Sequence, residues 1–257
     1  MNVREMFDLK GKVAIVTGGG RGIGLKMAEG LAEVGANIVL CSRKAENCQK
    51  TAQDLGKLGV KTLAMACDVR SQASIQGVVD KVMEQFGRLD ILVNNSGVTW
   101  GGPAEDYSLE GWEKVMSTNM TGAFLFSQMA GRVMIRQKSG SIINIASVMG
   151  VIGLESDVAD AIAYSASKGA LITFTKDLAA KWAKYNIRVN AIAPGWFPTD
   201  MTHWVLDHHG KKILSLVPMG RYGDPEELKG AVVYLASEAS RYVTGIVLPV
   251  DGGQLAV

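Results

Sequence analysis

The chain has 257 residues, with 27 basic and 25 acidic side chains for a net charge of +2, 47% hydrophobic residues and 20% charged ones. A chain of this length and apolarity buries roughly three quarters of its unfolded surface without a disulfide staple, which excludes a disordered chain. The balanced charge forms no basic stripe for nucleic acid, no apolar run approaches the ~18 residues that span a bilayer, and the first ten residues are too polar for a signal peptide.

Short apolar runs alternate with amphipathic stretches along the whole chain. Residues 13–16, 38–41, 62–67, 91–93, 141–146, 188–193 and 246–250 read as strands, and most are apolar without alternation, as strands covered on both faces should be. Between them, 22–34, 44–56, 72–86, 108–136, 164–184 and 225–237 read as helices. The repetition predicts a single doubly wound α/β domain of Rossmann type over 1–257, with a mainly parallel seven-stranded sheet. Gly35 suits a left-handed cap after the first long helix. Asp224-Pro225-Glu226-Glu227 places an acidic cap, a proline at the first helical position and Glu at the third. Residues 195–223 fit no regular element and hold all three histidines, as a lid or binding loop would.

The 30 glycines follow no collagen period. Five of them fall in the turn Thr17-Gly18-Gly19-Gly20-Arg21-Gly22-Ile23-Gly24, which follows the first strand and opens the first long helix. Such a turn brings backbone N–H groups to a pyrophosphate at the positive helix end. Its spacing is G-x-x-x-G-x-G rather than G-x-G-x-x-G, so a purely structural turn remains an alternative. The second strand ends Cys41-Ser42-Arg43, with no carboxylate to bind a ribose 2′-hydroxyl. Ser42 can donate a hydrogen bond, Arg43 can hold a 2′-phosphate and Arg21 adds a second positive charge, which favours NADP(H) over NAD(H). The plain alternative for Arg43 is a solvated residue opening a helix. Cys41, Cys48 and Cys67, an odd and sparse set, argue for reduced thiols in the cytoplasm, and no Cys-x-x-Cys or paired histidine supports a metal site.

Further motifs join the turn: Asp68-Val69, Asn94-Asn95-Ser96-Gly97 with serine where alanine is usual, Asn119, Ser147, Tyr164-Ser-Ala-Ser-Lys168, and Pro194-Gly195 followed by Thr199. With these the chain resembles the short-chain dehydrogenase/reductase family from about residue 9 to 253. The resemblance implies a cofactor site of Gly18, Arg21, Gly22, Ile23, Gly24, Ser42, Arg43, Asp68, Val69, Asn95, Gly97, Tyr164, Lys168, Pro194, Gly195 and Thr199. It also implies a catalytic set of Asn119, Ser147, Tyr164 and Lys168. Tyr164 would exchange a proton with a ketone or alcohol oxygen, its pKa lowered from near ~10 by the Lys168 ammonium. Lys168, four positions on, would share its helix face and hold the nicotinamide ribose. Ser147 would position the substrate oxygen, and Asn119 would hold a water leading from Lys168 to solvent or else only satisfy backbone groups at a helix kink. The resemblance further implies a homotetramer packed through 108–136 and 164–184.

Two subgroups divide the substrate reading. Residues 193–202 and 220–227 resemble gluconate 5-dehydrogenases, whose basic run after the Asn-Asn motif is replaced here by Val98-Thr99-Trp100-Gly101-Gly102-Pro103. Trp100 and residues 102–115 resemble NADPH-dependent 3-oxoacyl-thioester reductases, and Trp196, Phe197 and Trp204 offer an apolar cover for an acyl chain. A 3-oxoacyl thioester or similar β-keto compound is therefore the expected substrate, with Lys211, Lys212 and Arg221 as the cations a sugar acid would need. An acidic insert at 154–160 lies between Ser147 and Tyr164 and is expected to border the site or touch another subunit. A catalytically idle nucleotide-binding relative, and an isomerase or dehydratase on an extended version of the fold, remain as alternatives.

Overall fold

Each of the seven apolar runs forms a strand in the computed structural model, which describes residues 1–257. The strands are β1 Val13–Thr17, β2 Asn37–Ser42, β3 Thr62–Ala66, β4 Ile91–Asn94, β5 Gly140–Ile145, β6 Ile187–Pro194 and β7 Val247–Val250. They make one sheet in the order β3-β2-β1-β4-β5-β6-β7, and all six pairings are parallel. The helices are α1 Val3–Met6, α2 Gly22–Glu33, α3 Ala45–Gly56, α4 Gln72–Phe86, α5 Leu109–Met116, α6 Gly122–Gln137, α7 Ile162–Trp182, α8 His203–Ser215 and α9 Leu228–Ala236. Every residue of β1 and β4 is buried, whereas the edge strands β3 and β7 stay partly open. Apolar side chains fill both faces. Met27, Leu31, Ile38, Leu40 and Val232 pack under α2 and α9, and Ile15, Val79, Leu92, Phe126 and Met134 under α4 and α6.

Strand order reverses between β1 and β4, where the first turns from both diverge and leave a crevice at the carboxyl ends of the strands. A buried polar chain ties that centre to the helices behind it. Asn94 Nδ2 donates to Ser127 Oγ and Asn144 Oδ1, both at 2.9 Å, and Asn144 Nδ2 donates to Thr175 Oγ1 at 2.8 Å. Each buried amide is thereby satisfied, which fixes β4, β5, α6 and α7 in one register.

Three sequence expectations change. The helix expected over 108–136 is broken by a π-helical turn at Ser117–Thr121. Asn119 lies in that turn and is buried. The segment 195–223 is not irregular throughout, because α8 occupies its middle. Only Leu206 and Ile213 of that helix are buried, so it shows a thin apolar stripe diluted by three histidines and Gly210. The helix expected over 225–237 starts as a 3-10 turn at Pro225–Glu227, with the Asp224–Glu227 capping box formed as the sequence indicated.

Candidate active site

A cleft of about 530 Å³ opens at the crevice, and all sixteen expected cofactor positions line it. Its floor is the glycine-rich turn. Gly18 sits at φ +65°, in the left-handed region that favours glycine, and a Cβ there would press on Asn95 Nδ2 at 3.1 Å. Asn95 is held in place by Thr17: its side chain donates to Thr17 O at 2.8 Å, while Thr17 Oγ1 accepts from the Asn95 and Ser96 amides at 3.0 and 2.9 Å. A Cβ at Gly24 would lie 2.7 Å from Gly18 O, so the turn closes only with glycine there. The start of α2 has no side-chain cap and no acidic residue in its first turn. Its orphan N–H groups and dipole face the cleft, and they fit a nucleotide pyrophosphate.

At the end of β2, Arg43 lines the cleft and makes no ion pair. Ser42 differs from expectation: its hydroxyl donates to Lys44 O at 2.7 Å and accepts from Cys48 Sγ, so it holds the loop before α3. Asp68 is gripped by Arg70 through Nε and Nη2 at 3.0 and 2.6 Å, which holds its carboxyl at about 2. Asn47 and Arg70 also line this end. The sequence reading missed both, since neither belongs to a motif and only the fold brings them beside Arg43. Arg21 reaches across the cleft to Asp200 rather than standing free.

On the opposite wall, Ser147 follows β5, and Tyr164 and Lys168 lie on α7. A glycine contact sets their spacing: a Cβ on Gly150 would meet the Lys168 carbonyl carbon at 2.6 Å, so the turn after Ser147 rests directly on the α7 backbone. Lys168 Nζ donates to Ile145 O at 2.6 Å and lies 5.4 Å from the centre of the Tyr164 ring. Asn119 Oδ1 accepts from the Val98 amide at 2.8 Å, and its Nδ2 donates to Val98 O and Ser167 Oγ, both at 3.0 Å. Its side chain is therefore a brace between the π turn, the loop after β4 and α7.

Burial acts on both titratable groups here. It pushes Tyr164 above its ordinary range, with the Ser147 hydroxyl drawing it partly back, although one side of the ring is open to the cleft. The same burial draws the Lys168 ammonium down to about 8. The folded lysine binds its proton less tightly than the unfolded chain does, whose value is near 10.5. Stability should therefore be lowest below pH 8 and gain from this group as pH rises from 8 to 10.5. Denaturant midpoints of the unmodified protein and Lys168→Met, compared from pH 7 to 11, are expected to converge or cross over that window. A constant difference would mean that the ammonium is not desolvated.

The surroundings of the site show which of the side chains named for the substrate are free. Trp100 does not face the cleft. Its ring lies flat on Gly111, where a Cβ would meet Trp100 Cδ1 at 2.6 Å, and Lys114 Nζ sits 4.4 Å from its centre. Trp196 is buried with Val158, Leu206, Ile213 and Val217, and Phe197, although it edges the cleft, is almost wholly buried in the main core, so neither is an open apolar cover. Trp204 stacks outside on His208. The acidic insert holds α8: Lys212 Nζ contacts Glu155 at 2.5 Å and Asp157 at 2.6 Å, and Val158 plugs the small apolar cluster. Lys212 is thereby taken, as is Arg221, which pairs with both oxygens of Glu227.

Comparison with known proteins agrees with this geometry. The family model described as enoyl-(acyl carrier protein) reductase matches residues 18–254. A 3-oxoacyl-[acyl-carrier-protein] reductase of Aquifex aeolicus is 40% identical over 246 residues, 95% of this chain and 98% of that one.

The chain belongs to the short-chain dehydrogenase/reductase family.

Within that family it is similar to more than one kind of enzyme. A gluconate 5-dehydrogenase of Gluconobacter oxydans is 38% identical over 257 residues, 98% of each chain. The crystal structure of a gluconate 5-dehydrogenase from Burkholderia cenocepacia, in complex with NADP and tartrate, superposes with a TM-score of 0.94 at 36% identity over 100% of both chains. This short-chain dehydrogenase/reductase is an oxidoreductase, and none of its helices is long and apolar enough to cross a membrane.

Proposed function

We propose that the protein interconverts a ketone and a secondary alcohol with NADP(H), and that its substrate is a 3-oxoacyl thioester or similar β-keto compound. The observation that carries the reaction is the convergence of Ser147, Tyr164 and Lys168 on one wall of the cleft, opposite a glycine cradle and an uncapped helix end. Bound NADP(H) supplies or accepts the hydride. The turn at 18–24 holds its pyrophosphate, Arg43 its 2′-phosphate, and Pro194, Gly195 and Thr199 border the nicotinamide end. Tyr164 holds the proton that reaches the carbonyl oxygen on reduction, and Ser147 donates a hydrogen bond that orients that oxygen. Lys168 holds the ribose and keeps positive charge beside the phenol. Asn119 positions α7 through Ser167 and the loop after β4 through Val98.

The substrate class rests on what lines the far end of the cleft. Among the side chains lining the cleft, Val98, Thr99, Met201 and Thr202 are neutral, and two of its three arginines are already paired, Arg21 with Asp200 and Arg70 with Asp68. A sugar-acid carboxylate would enter that end without a charged partner, which is costly in a partly dry pocket. The likeness to gluconate 5-dehydrogenases supports the sugar-acid alternative, with Lys211 as the remaining cation on α8. NADPH oxidation is to be followed with acetoacetyl-CoA, 5-ketogluconate and simple diketones at matched concentrations. Thioester reduction is expected to dominate, and efficient turnover of 5-ketogluconate alone would reverse the assignment.

We also place the enzyme in the cytoplasm, since all three cysteines are free, and assign it a homotetramer. Leu109, Trp112 and Phe124 expose apolar surface on α5 and α6, within the 108–136 stretch the sequence singled out, and Ile162 does so at the start of α7. Sedimentation at micromolar concentration is expected to show four copies, and a monomer throughout would refute it.

A further inference from the structure

The insert at 154–160 joins two stretches of the cleft wall. One is the loop after β4, where Val98 and Thr99 line the cleft; the other is the segment after β6, where Met201 and Thr202 line it and α8 follows at once. Toward the first, Asp160 O accepts from the Gly102 amide at 3.0 Å. Toward the second, the Val158 and Ala159 amides both donate to Glu155 O, at 2.9 and 3.1 Å. From that turn Val158 enters an apolar cluster with Trp196, Leu206, Ile213 and Val217, separate from the two clusters that flank the sheet. Val158 is only 2% exposed there, and Leu206 and Ile213 are the only buried residues of α8. Beyond Asp160 the chain enters α7 directly, with Tyr164 in its first turn.

We propose that Val158 is a specificity-determining residue: it seats α8 and so sets how closely Met201 and Thr202 approach an extended substrate held at Tyr164. The proposal rests on the reading of this cleft as the site of a ketone reductase. Val158 touches no reacting atom and acts through Trp196 and Leu206, so it is a positioning residue. The path is short. Trp196 stands between Gly195 and Phe197, both of which line the cleft, and the Leu206 amide donates to Thr202 O at 2.9 Å. Most of α8 faces solvent, so its docked state depends on this small cluster, and removing two methyl groups from the cluster shifts the balance toward an undocked helix. The contacts of Lys212 with Glu155 and Asp157 add less, since their charged groups are exposed. An undocked α8 withdraws Met201 and Thr202 and leaves the glycine turn, Arg43 and the wall of Ser147, Tyr164 and Lys168 in place. Affinity for an extended substrate then falls with the fraction of molecules still docked. A small diketone that contacts only Ser147 and Tyr164 does not register the change.

The test is steady-state kinetics with NADPH in the unmodified protein, Val158→Ala and Val158→Ile. The extended probe is whichever of acetoacetyl-CoA and 5-ketogluconate the unmodified protein turns over, and the small probe is 2,3-butanedione. NADPH fluorescence titration and timed tryptic cleavage at Lys211 accompany it. Val158→Ala is expected to raise KM for the extended probe about threefold to tenfold, the upper figure being roughly what two buried methyl groups supply. The kcat, the NADPH affinity and the KM for 2,3-butanedione should stay within about twofold. Val158→Ile keeps the apolar contact and should keep the low KM. Cleavage at Lys211 on α8 should quicken by a similar factor in Val158→Ala and not in Val158→Ile. An unchanged KM in Val158→Ala, or equal losses with both probes together with weaker NADPH binding, would overturn the specificity role alone. An unmodified protein that reduces no probe at all would overturn the reductase reading, and the specificity role with it.

Discussion

Turnover in Tyr164→Phe is expected to fall by roughly 10²–10⁴-fold, the usual worth of a positioned proton donor, while NADPH binding survives. The substitution removes one oxygen and leaves the ring that lies 5.4 Å from Lys168 Nζ, so the wall of the cleft keeps its shape. The remaining hydroxyl, that of Ser147, lies deep in the wall and accepts from the Met149 amide at 3.2 Å. It orients a carbonyl oxygen, and an aliphatic hydroxyl is too weak an acid to replace a phenol as proton donor. Lys168→Met is expected to damage binding and turnover together, since the ammonium serves both the ribose and the phenol. Turnover with the most active ketone of the panel, beside NADPH fluorescence titration, separates the two patterns. Unchanged turnover in Tyr164→Phe would remove the tyrosine from the mechanism.

Arg43→Asp is expected to reverse the cofactor preference. Charge-assisted contacts to a phosphate contribute ~1.5–3 kcal/mol, or roughly one to two decades in preference for NADPH. The substitution removes that attraction and puts a carboxylate where a ribose 2′-hydroxyl would sit. Arg43 bears most of this effect here, because Arg21 is engaged by Asp200, Arg70 by Asp68, and the Ser42 hydroxyl by Lys44 O. The ratio of kcat/KM for NADPH and NADH measures it, and equal ratios for the unmodified protein and the variant would exclude Arg43 from recognition of the 2′-phosphate.

Strand positions were legible because strands covered on both faces must be apolar throughout; β1, β2, β4 and β5 appear in the chain as short Val, Ile and Leu runs bounded by glycine or polar residues. The cofactor cradle was legible for a related reason. Gly18 and Gly24 stand where any Cβ would collide with the Asn95 side chain or the Gly18 carbonyl, so backbone geometry is written directly into residue type. Tyr164 and Lys168 were legible as a pair because a helix puts positions four apart on one face.

What the chain alone determined is therefore whatever depends on local periodicity and on the absence of a side chain: seven parallel strands, the glycine turn and the Tyr164–Lys168 face. Only the tertiary structure decided which polar and aromatic groups remain available. Trp100 turns onto Gly111 because glycine leaves a flat seat there, and Trp196 fills a cluster that Val158 of the insert completes. Lys212 and Arg221 are neutralised by acids that are distant in sequence or brought near by a cap, and Arg21 finds its partner 179 positions away. Asn119 is buried within a π turn, which no residue pattern announced. Such pairings arise where elements converge, and a linear pattern carries no term for convergence.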